Sequence, residues 1–528
     1  MMKRTKKVLA LAFAFAMVAP MAACGTPQAE EVPEGRTQIK ISMYVGGYGA
    51  EWMDNLITRL NGSQEAYWYT RNPDNKMASE EITDKILGGV VEADIYFTTP
   101  ADIEPLIGGG YLEDLTEVYE YTPEGESLKI KDKTLGYENY ETYLSDDNGI
   151  YAMPNQYNLN STVYDHDLFE TMGWLKEDSG TENGLTKGAD GVEGTYDDGL
   201  PVTYSEFKTL IADISTTATP FIYADSVGFD QLCRAVEAIW AQYEGAENYK
   251  VGAMYNGTYT SPSTGVTTQV TPSEGWKVYA NNLQEGRWKA AEYIADMHLN
   301  PLYMYGDLSG LTHTDAQSTF VISHATEKPI AMLCDGCWWE NEAKRAFADD
   351  AGVNGPDYAY GKRDFRLMPV PAFDGQVEES NGKHYFQGGA GASSFAVKQE
   401  DPVKKQGVLD FFKEYASDWN CKNYTKSTGC IAPFKYTMTD EELATLSPFA
   451  RNVFEIYSDP STVVVDTYWY EKGVDLNNVP ERWGMVKVNN VTRGTHWEAL
   501  RNGATLEEYK NGVLNETYTS SNWVGVTD

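Results

Sequence analysis

Short extended runs alternate with amphipathic helical runs along this chain, and glycine turns join them; no other feature restricts the fold as much. Gln38 to Val45 alternates and then turns apolar, Gly46-Gly47-Tyr48-Gly49 breaks it, and a helical pattern follows from Glu51 to Leu60. A helix over Ser79–Leu87 leads through Gly88-Gly89 into an apolar strand over Ala93–Phe97, and a further helix over Pro100–Ile107 stops at Gly108-Gly109-Gly110. Later, Lys328–Leu333 and Ser394–Val397 read as short buried strands. Asp401-Pro402 caps a helix whose apolar face is Val403, Val408, Phe411, Phe412 and Tyr415. Strands and helices in alternation imply a mostly parallel sheet with crossover helices, an α/β protein. Asn148 to Asn158 is extended for longer than a single strand needs, as expected where a chain leaves one sheet for another.

The first residues stand apart from this pattern. Lys3, Arg4, Lys6 and Lys7 precede an uncharged apolar run from Val8 to Ala19, which ends in Met21-Ala22-Ala23-Cys24-Gly25. The run is too short for a stable membrane span, which takes about 20 residues, and its three regions are those of an export signal. Met21 to Cys24 resembles the lipobox of bacterial lipoproteins, with Met where Leu is usual; the resemblance implies cleavage after residue 23 and acylation of Cys24. Residues 24–37 then form a polar tether between lipid and globular body. The expected location is the outer face of the cell membrane, or the periplasm if the source has an outer membrane.

A formal charge of -36 argues against nucleic acid and anionic lipid as partners. Of six cysteines, Cys24 is taken by lipid, which leaves an odd five. Cys334 with Cys337, or Cys421 with Cys430, could pair or remain buried thiols. Segments 177–200 and 245–275 read as polar, turn-rich insertions. Within the first, Asp190, Asp197 and Asp198 are spaced among glycines as in a calcium loop, without the order of an EF-hand, and a solvated acidic loop is the alternative. Thr203–Glu206 and Thr439–Glu442 are capping boxes that start helices, and the chain is expected to close with helices from about Val479 to Arg501 and from Leu506 to Lys510.

The order of several short motifs is similar to the family 1 extracellular solute-binding proteins, the sugar-binding components of bacterial ABC importers. They are Gly110-Tyr111-Leu112-Glu113-Asp114-Leu115, Gly149-Ile150-Tyr151-Ala152-Met153-Pro154, Thr203-Tyr204-Ser205-Glu206-Phe207, Ile330-Ala331-Met332 with Gly336 and Trp338, and Gly388-Gly389 with Gly391. The resemblance implies a two-lobed, type II periplasmic-binding fold with a hinge and a ligand cleft. The lobes would comprise 38–156 with 386–447 and 157–385 with 448–528. It also implies a monomer that captures a carbohydrate by closure, hands it to permease subunits and has no catalytic residues or cofactor, calcium aside.

A sugar presents apolar ring faces and many hydroxyls, so its site needs flat aromatics with carboxamides and carboxylates. Asp335, Trp338, Trp339 and Glu340 follow a buried strand, where open α/β sheets hold ligands, and Trp338 falls where the resembling family places a stacking aromatic. Trp483 corresponds to that family's second one. Tyr48 and Gly389 lie in glycine turns that bring backbone amides to a ligand, Asn155, Gln156 and Asn158 occupy the crossing between lobes, and Trp240 completes the candidates. Binders of a peptide or polyamine, and a surface carbohydrate-active enzyme, are the alternatives. No H-E-x-x-H, G-x-S-x-G or P-loop occurs, and the six His lack metal spacing.

Overall fold

The computed structural model describes residues 32–72, 79–99, 103–224, 230–306, 308, 310–467, 469, 486–494, 497–523 and 526. Two separate sheets, each covered by helices, form two lobes. The first has the spatial order Tyr67–Arg71, Thr37–Met43, Ile95–Phe97, Ser393–Ala396 and Met153–Pro154; its first three strands are parallel. Ile39, Ile41 and Met43 face one side of their strand and are buried against Trp52, Met53, Leu56 and Leu60, the apolar stripe of helix Glu51–Ser63. Helix Pro402–Tyr415 joins the same core with Val408, Phe411 and Phe412; Asp401 accepts the Val403 N–H at its start.

The second sheet runs Thr462–Asp466, His384–Gly389, Asn158–Asp165, Ile330–Gly336 and Thr219–Ile222, with Phe365–Met368 pairing the far half of Asn158–Asp165. Every residue of Ile330–Gly336 is buried, as befits a central strand with helices on both faces. The chain passes between the sheets at 155–157 and again between Gly389 and Ser393. A third passage joins Ile431, bridged to Tyr157, to helix Pro448–Ser458, whose Asn452 accepts the Leu367 N–H of the second sheet. Trp469, just past the last strand of that sheet, is planted in the first lobe: its N–H bonds the Ala390 carbonyl at 2.7 Å and its ring lies 4.8 Å from Tyr140.

Local expectations fare unevenly. Both capping boxes form. Segment 245–275 contains a hairpin, Gly257–Thr260 against Thr267–Val270. Of the long helix expected from Val479 to Arg501, the described part keeps only its end, Glu498–Arg501. Lys487–Val488 and Val491–Thr492 make a hairpin turned by Asn489 and Asn490 at φ 54° and 58°. Paired asparagines tolerate the left-handed region that such a turn demands, which outweighs the helical periodicity around them. Helix Leu506–Asn511 does form. The first insertion is exposed or half-buried up to residue 195, but residues 196–200 are buried. Cys334, Cys337, Cys421 and Cys430 are buried free thiols. No described helix is long and apolar enough to cross a membrane.

Candidate functional site

One end of the second sheet faces the first lobe, and four strands meet there. Asn160 pairs in register with Gly336 on one side and Gln387 on the other, Gly389 opposes Asn158, and Gly388 opposes Asp466. The side chains gathered at this end are polar. Asn160 bonds Gln387, and Gln387 donates to Thr467 at 2.9 Å. Asp335, 7 % exposed, accepts its own strand's Gly336 N–H at 2.8 Å and the Gln317 carboxamide at 2.9 Å. Gln317 also donates to Glu342 at 2.7 Å, and His313 lies 3.5 Å from the other Glu342 oxygen. Burial pushes the Asp335 carboxyl up to about 7, against the lowering effect of the Gln317 and Gly336 bonds.

Trp338 is half-buried and its indole lies over the strand end. A Cβ on Gly336 would stand 2.4 Å from the ring, so only glycine lets the indole settle there. Gly389, at φ +101°, has Asp466 within 2.9 Å of where a Cβ would be. The first lobe answers with the turn Gly46–Tyr48 after its strand Thr37–Met43. Tyr48 Oη donates to Asn158 Oδ1 at 2.5 Å, its ring sits 6.3 Å from Trp338, and Asn341 of the second lobe donates to the Gly47 carbonyl at 2.6 Å. The lobes therefore touch across the cleft, leaving between them a cavity of 270 Å³ lined by Gly46–Gly49, Glu51, Asn341, Glu342, Lys344 and Ser427. Asn155 anchors the crossing segment to the Thr98 and Ser393 carbonyls at 2.9 and 3.2 Å, and Gln156 is half-buried beside it.

Tyr48, Asn155, Gln156, Asn158, Asp335, Trp338 and Gly389 thus gather around the facing ends of the two sheets. Three other candidates are core side chains. Trp339 is 0 % exposed among Phe320, Phe347, Phe365 and Phe449, because the short helix Trp339–Glu342 turns it inward. Glu340 is buried, accepts from Ser447 at 2.6 Å, and is pushed by burial up to about 7. Trp240 packs within the second lobe, its N–H on Glu244 at 2.5 Å and the Arg287 guanidinium 5.4 Å from its ring. Cys24 and Trp483 lie outside the described residues.

Asn160, Gln387, Gln317 and Glu342 were not among the sequence candidates. Asn160 is two residues from Asn158 and shares its strand face, and Gln387 directly precedes the Gly388-Gly389 signal. Gln317 is a polar residue in the buried stripe Ala316, Gln317, Phe320 and Val321, the pattern that marks a polar side chain held for a purpose.

In the acidic insertion, Asp197 accepts His384 Nε2 at 2.9 Å and the Ala189 N–H at 2.6 Å, while Asp198 accepts the Gly194 N–H at 2.6 Å. Among the described residues no group of three or more His, Cys, Asp or Glu is placed to hold a metal. Burial opposes a charged His384, but the Asp197 hydrogen bond and field prevail and raise its pKa. Ser461 Oγ lies 3.1 Å from the other ring nitrogen, which gives a serine, histidine and aspartate in sequence. The His384 side chain is 0 % exposed and Tyr196 shares that nitrogen at 2.6 Å, so the imidazole itself is closed to a substrate.

No family model matches this sequence, and no curated protein does. Solved structures resemble it in fold. They include RafE, in its apo form from Streptococcus pneumoniae (TM-score 0.57, 13 % identity, covering 93 % of this chain and 100 % of that one) and in complex with raffinose (0.55, 13 %, 92 % and 100 %). A chitin oligosaccharide binding protein is similar at TM-score 0.52 and 14 % identity over 82 % of this chain and 89 % of that one. A probable secreted solute-binding lipoprotein from Streptomyces coelicolor is similar at 0.52 and 12 % over 93 % and 99 %. The fold is that of the two-lobed solute-binding proteins.

Proposed function

We propose that this protein is an extracellular, lipid-anchored solute-binding protein that captures a saccharide between its lobes and delivers it to the permease of an ABC importer. The observation that carries the reading is the meeting of Trp338 and Tyr48, one from each lobe, among the carboxamides and carboxylates at the facing sheet ends. An aromatic face suits the apolar face of a pyranose, and side-chain amides and carboxylates suit its hydroxyls. Contacts to both lobes at once make closure a population shift that ligand binding drives. The export signal and Cys24 support the anchored location, as does the secreted lipoprotein among the similar folds. The saccharide class draws support from RafE with raffinose and from the chitin oligosaccharide binder.

The test is a thermal-shift and tryptophan-fluorescence screen of the mature protein against oligosaccharides, peptides and polyamines. A saccharide is expected to raise the melting temperature and quench fluorescence, with both responses lost in Trp338→Ala. A response to peptides alone, or release of a cleaved product, would overturn the assignment.

A further inference from the structure

The seam between the lobes is short of hydrogen-bond donors. Gln317 spends its amide hydrogens on Asp335 and Glu342, Asn155 spends its two on the Thr98 and Ser393 carbonyls, and Asn341 donates to the Gly47 carbonyl. These partners fix the amide orientations and leave Gln317 Oε1, Asn341 Oδ1 and Asn155 Oδ1 buried without a donor. The nearby Tyr424 and Ser393 hydroxyls are also unmatched, but a hydroxyl accepts as readily as it donates. The unmatched Trp339 N–H belongs to a wholly buried ring in the core. An unmatched buried acceptor is costly, and Asn341, the one of the three that lines the cavity between the lobes, describes the partner that is missing there: a group that donates.

Charge narrows that group. The cavity between the lobes is lined by Glu51 from the first lobe and Glu342 from the second, and Asn341, only 8 % exposed, lies beside them. Asp335 stands behind Glu342 across the shared Gln317 carboxamide. Lys344, the basic residue of the lining, has its ammonium 4.9 Å over the Tyr360 ring. His313 meets Glu342 at the margin. Burial holds the Asp335 carboxyl above its ordinary range, and the Gln317 and Gly336 bonds with the nearby His313 offset it only in part.

We infer that the captured saccharide is an amino sugar with a free, protonated amine, seated against Glu342 and Asn341 with Glu51 facing it from the other lobe. The inference rests on the saccharide reading above and adds the chemical class. An ammonium brings three donors, no acceptor and one positive charge, which matches both the unmatched Asn341 oxygen and the acidic lining. A neutral hydroxyl brings one donor and its own lone pairs. A uronate adds negative charge and is disfavoured. The sugar ring next to the amine lies toward Trp338 and Tyr48, where an aromatic face also attracts the cation. Contact with acids of both lobes makes the amine part of what holds the cleft shut.

The experiment is calorimetric titration of the mature protein with glucosamine and its β-1,4 trimer, the N-acetylated trimer, the β-1,4 glucose trimer, a galacturonic acid trimer and spermidine. Glucosamine compounds are expected to bind about ten-fold or more tightly than their acetylated and neutral counterparts. In Glu342→Gln and in Glu51→Gln, each checked for a cooperative melt, that ratio falls toward one. Equal affinity for the amine, acetylated and neutral trimers, or an unchanged ratio in both variants, overturns the amine while leaving saccharide capture standing. Tight binding of spermidine with no saccharide bound overturns both.

Discussion

Trp338 and Trp339 are neighbours in sequence and belong to different regions of the molecule. Trp338 lies half-buried on the end of the second sheet, facing Tyr48 of the other lobe. Trp339 is enclosed by four phenylalanines in the interior behind it. At the sheet end, polar groups are gathered with some of their capacity unused; in the interior, apolar surface is filled. The contrast teaches that composition around a strand end says little until the next helical turn decides which side chain goes in and which stays out.

Truncation should expose the difference most strongly. Trp339→Ala is expected to cost about 3–5 kcal/mol of stability, as large aromatic losses in a packed core do, measured by denaturant unfolding. Trp338→Ala should cost less, about 2 kcal/mol, since part of its surface is already exposed, yet remove ligand-induced quenching. Equal destabilisation by the two would erase the distinction.

A smaller effect belongs to the contact between lobes. Tyr48→Phe removes one hydrogen bond to Asn158 and keeps the ring, so ligand affinity should fall by about 1 kcal/mol, roughly five-fold, with the melting temperature of the unliganded protein nearly unchanged. A fall in stability without a fall in affinity would place Tyr48 with the structural residues.

The two regions also hold buried acids. Glu244, deep in the second lobe, is pushed by burial up to about 8, although the Gly286, Trp240 and Tyr259 donors oppose the shift; Asp335 at the sheet end reaches about 7. Each binds a proton in the native state at pH values where the unfolded chain has lost it. Their contributions are therefore fully present below the ordinary carboxylate range, and stability falls as pH rises through the folded values. Glu244→Gln should flatten the melting-temperature profile between about pH 4.5 and 8 with or without ligand. Asp335→Asn should flatten it up to about pH 7 in the free protein and alter the response to ligand as well.

Much of this division was legible in the sequence. The fully apolar run of Ile330–Leu333 ahead of Gly336 and the tryptophans located the sheet end, and Gly46-Gly47 located the turn that meets it. The capping hydroxyls of Thr203 and Thr439 marked helix starts because the signal and the structure lie within three residues of each other. What failed depended on distance. Trp240 and Trp338 are both aromatic residues near acids in sequence, and only the packing of the second lobe shows that Glu244 receives the Trp240 N–H inside the core. Gln317 joins the site from a strand and a helix away. The hairpin at Asn489-Asn490 was hidden by the helical spacing of the residues on either side.

The central claim is that the polar sheet end bearing Trp338 is where ligand draws the lobes together. Small-angle X-ray scattering of the mature protein, with and without the saccharide that the thermal screen selects, tests it directly. The account predicts a smaller radius of gyration on ligand addition in the wild type and no change in Trp338→Ala at the same concentration. The same contraction in that variant would contradict it, as would saturated binding in the wild type with no contraction.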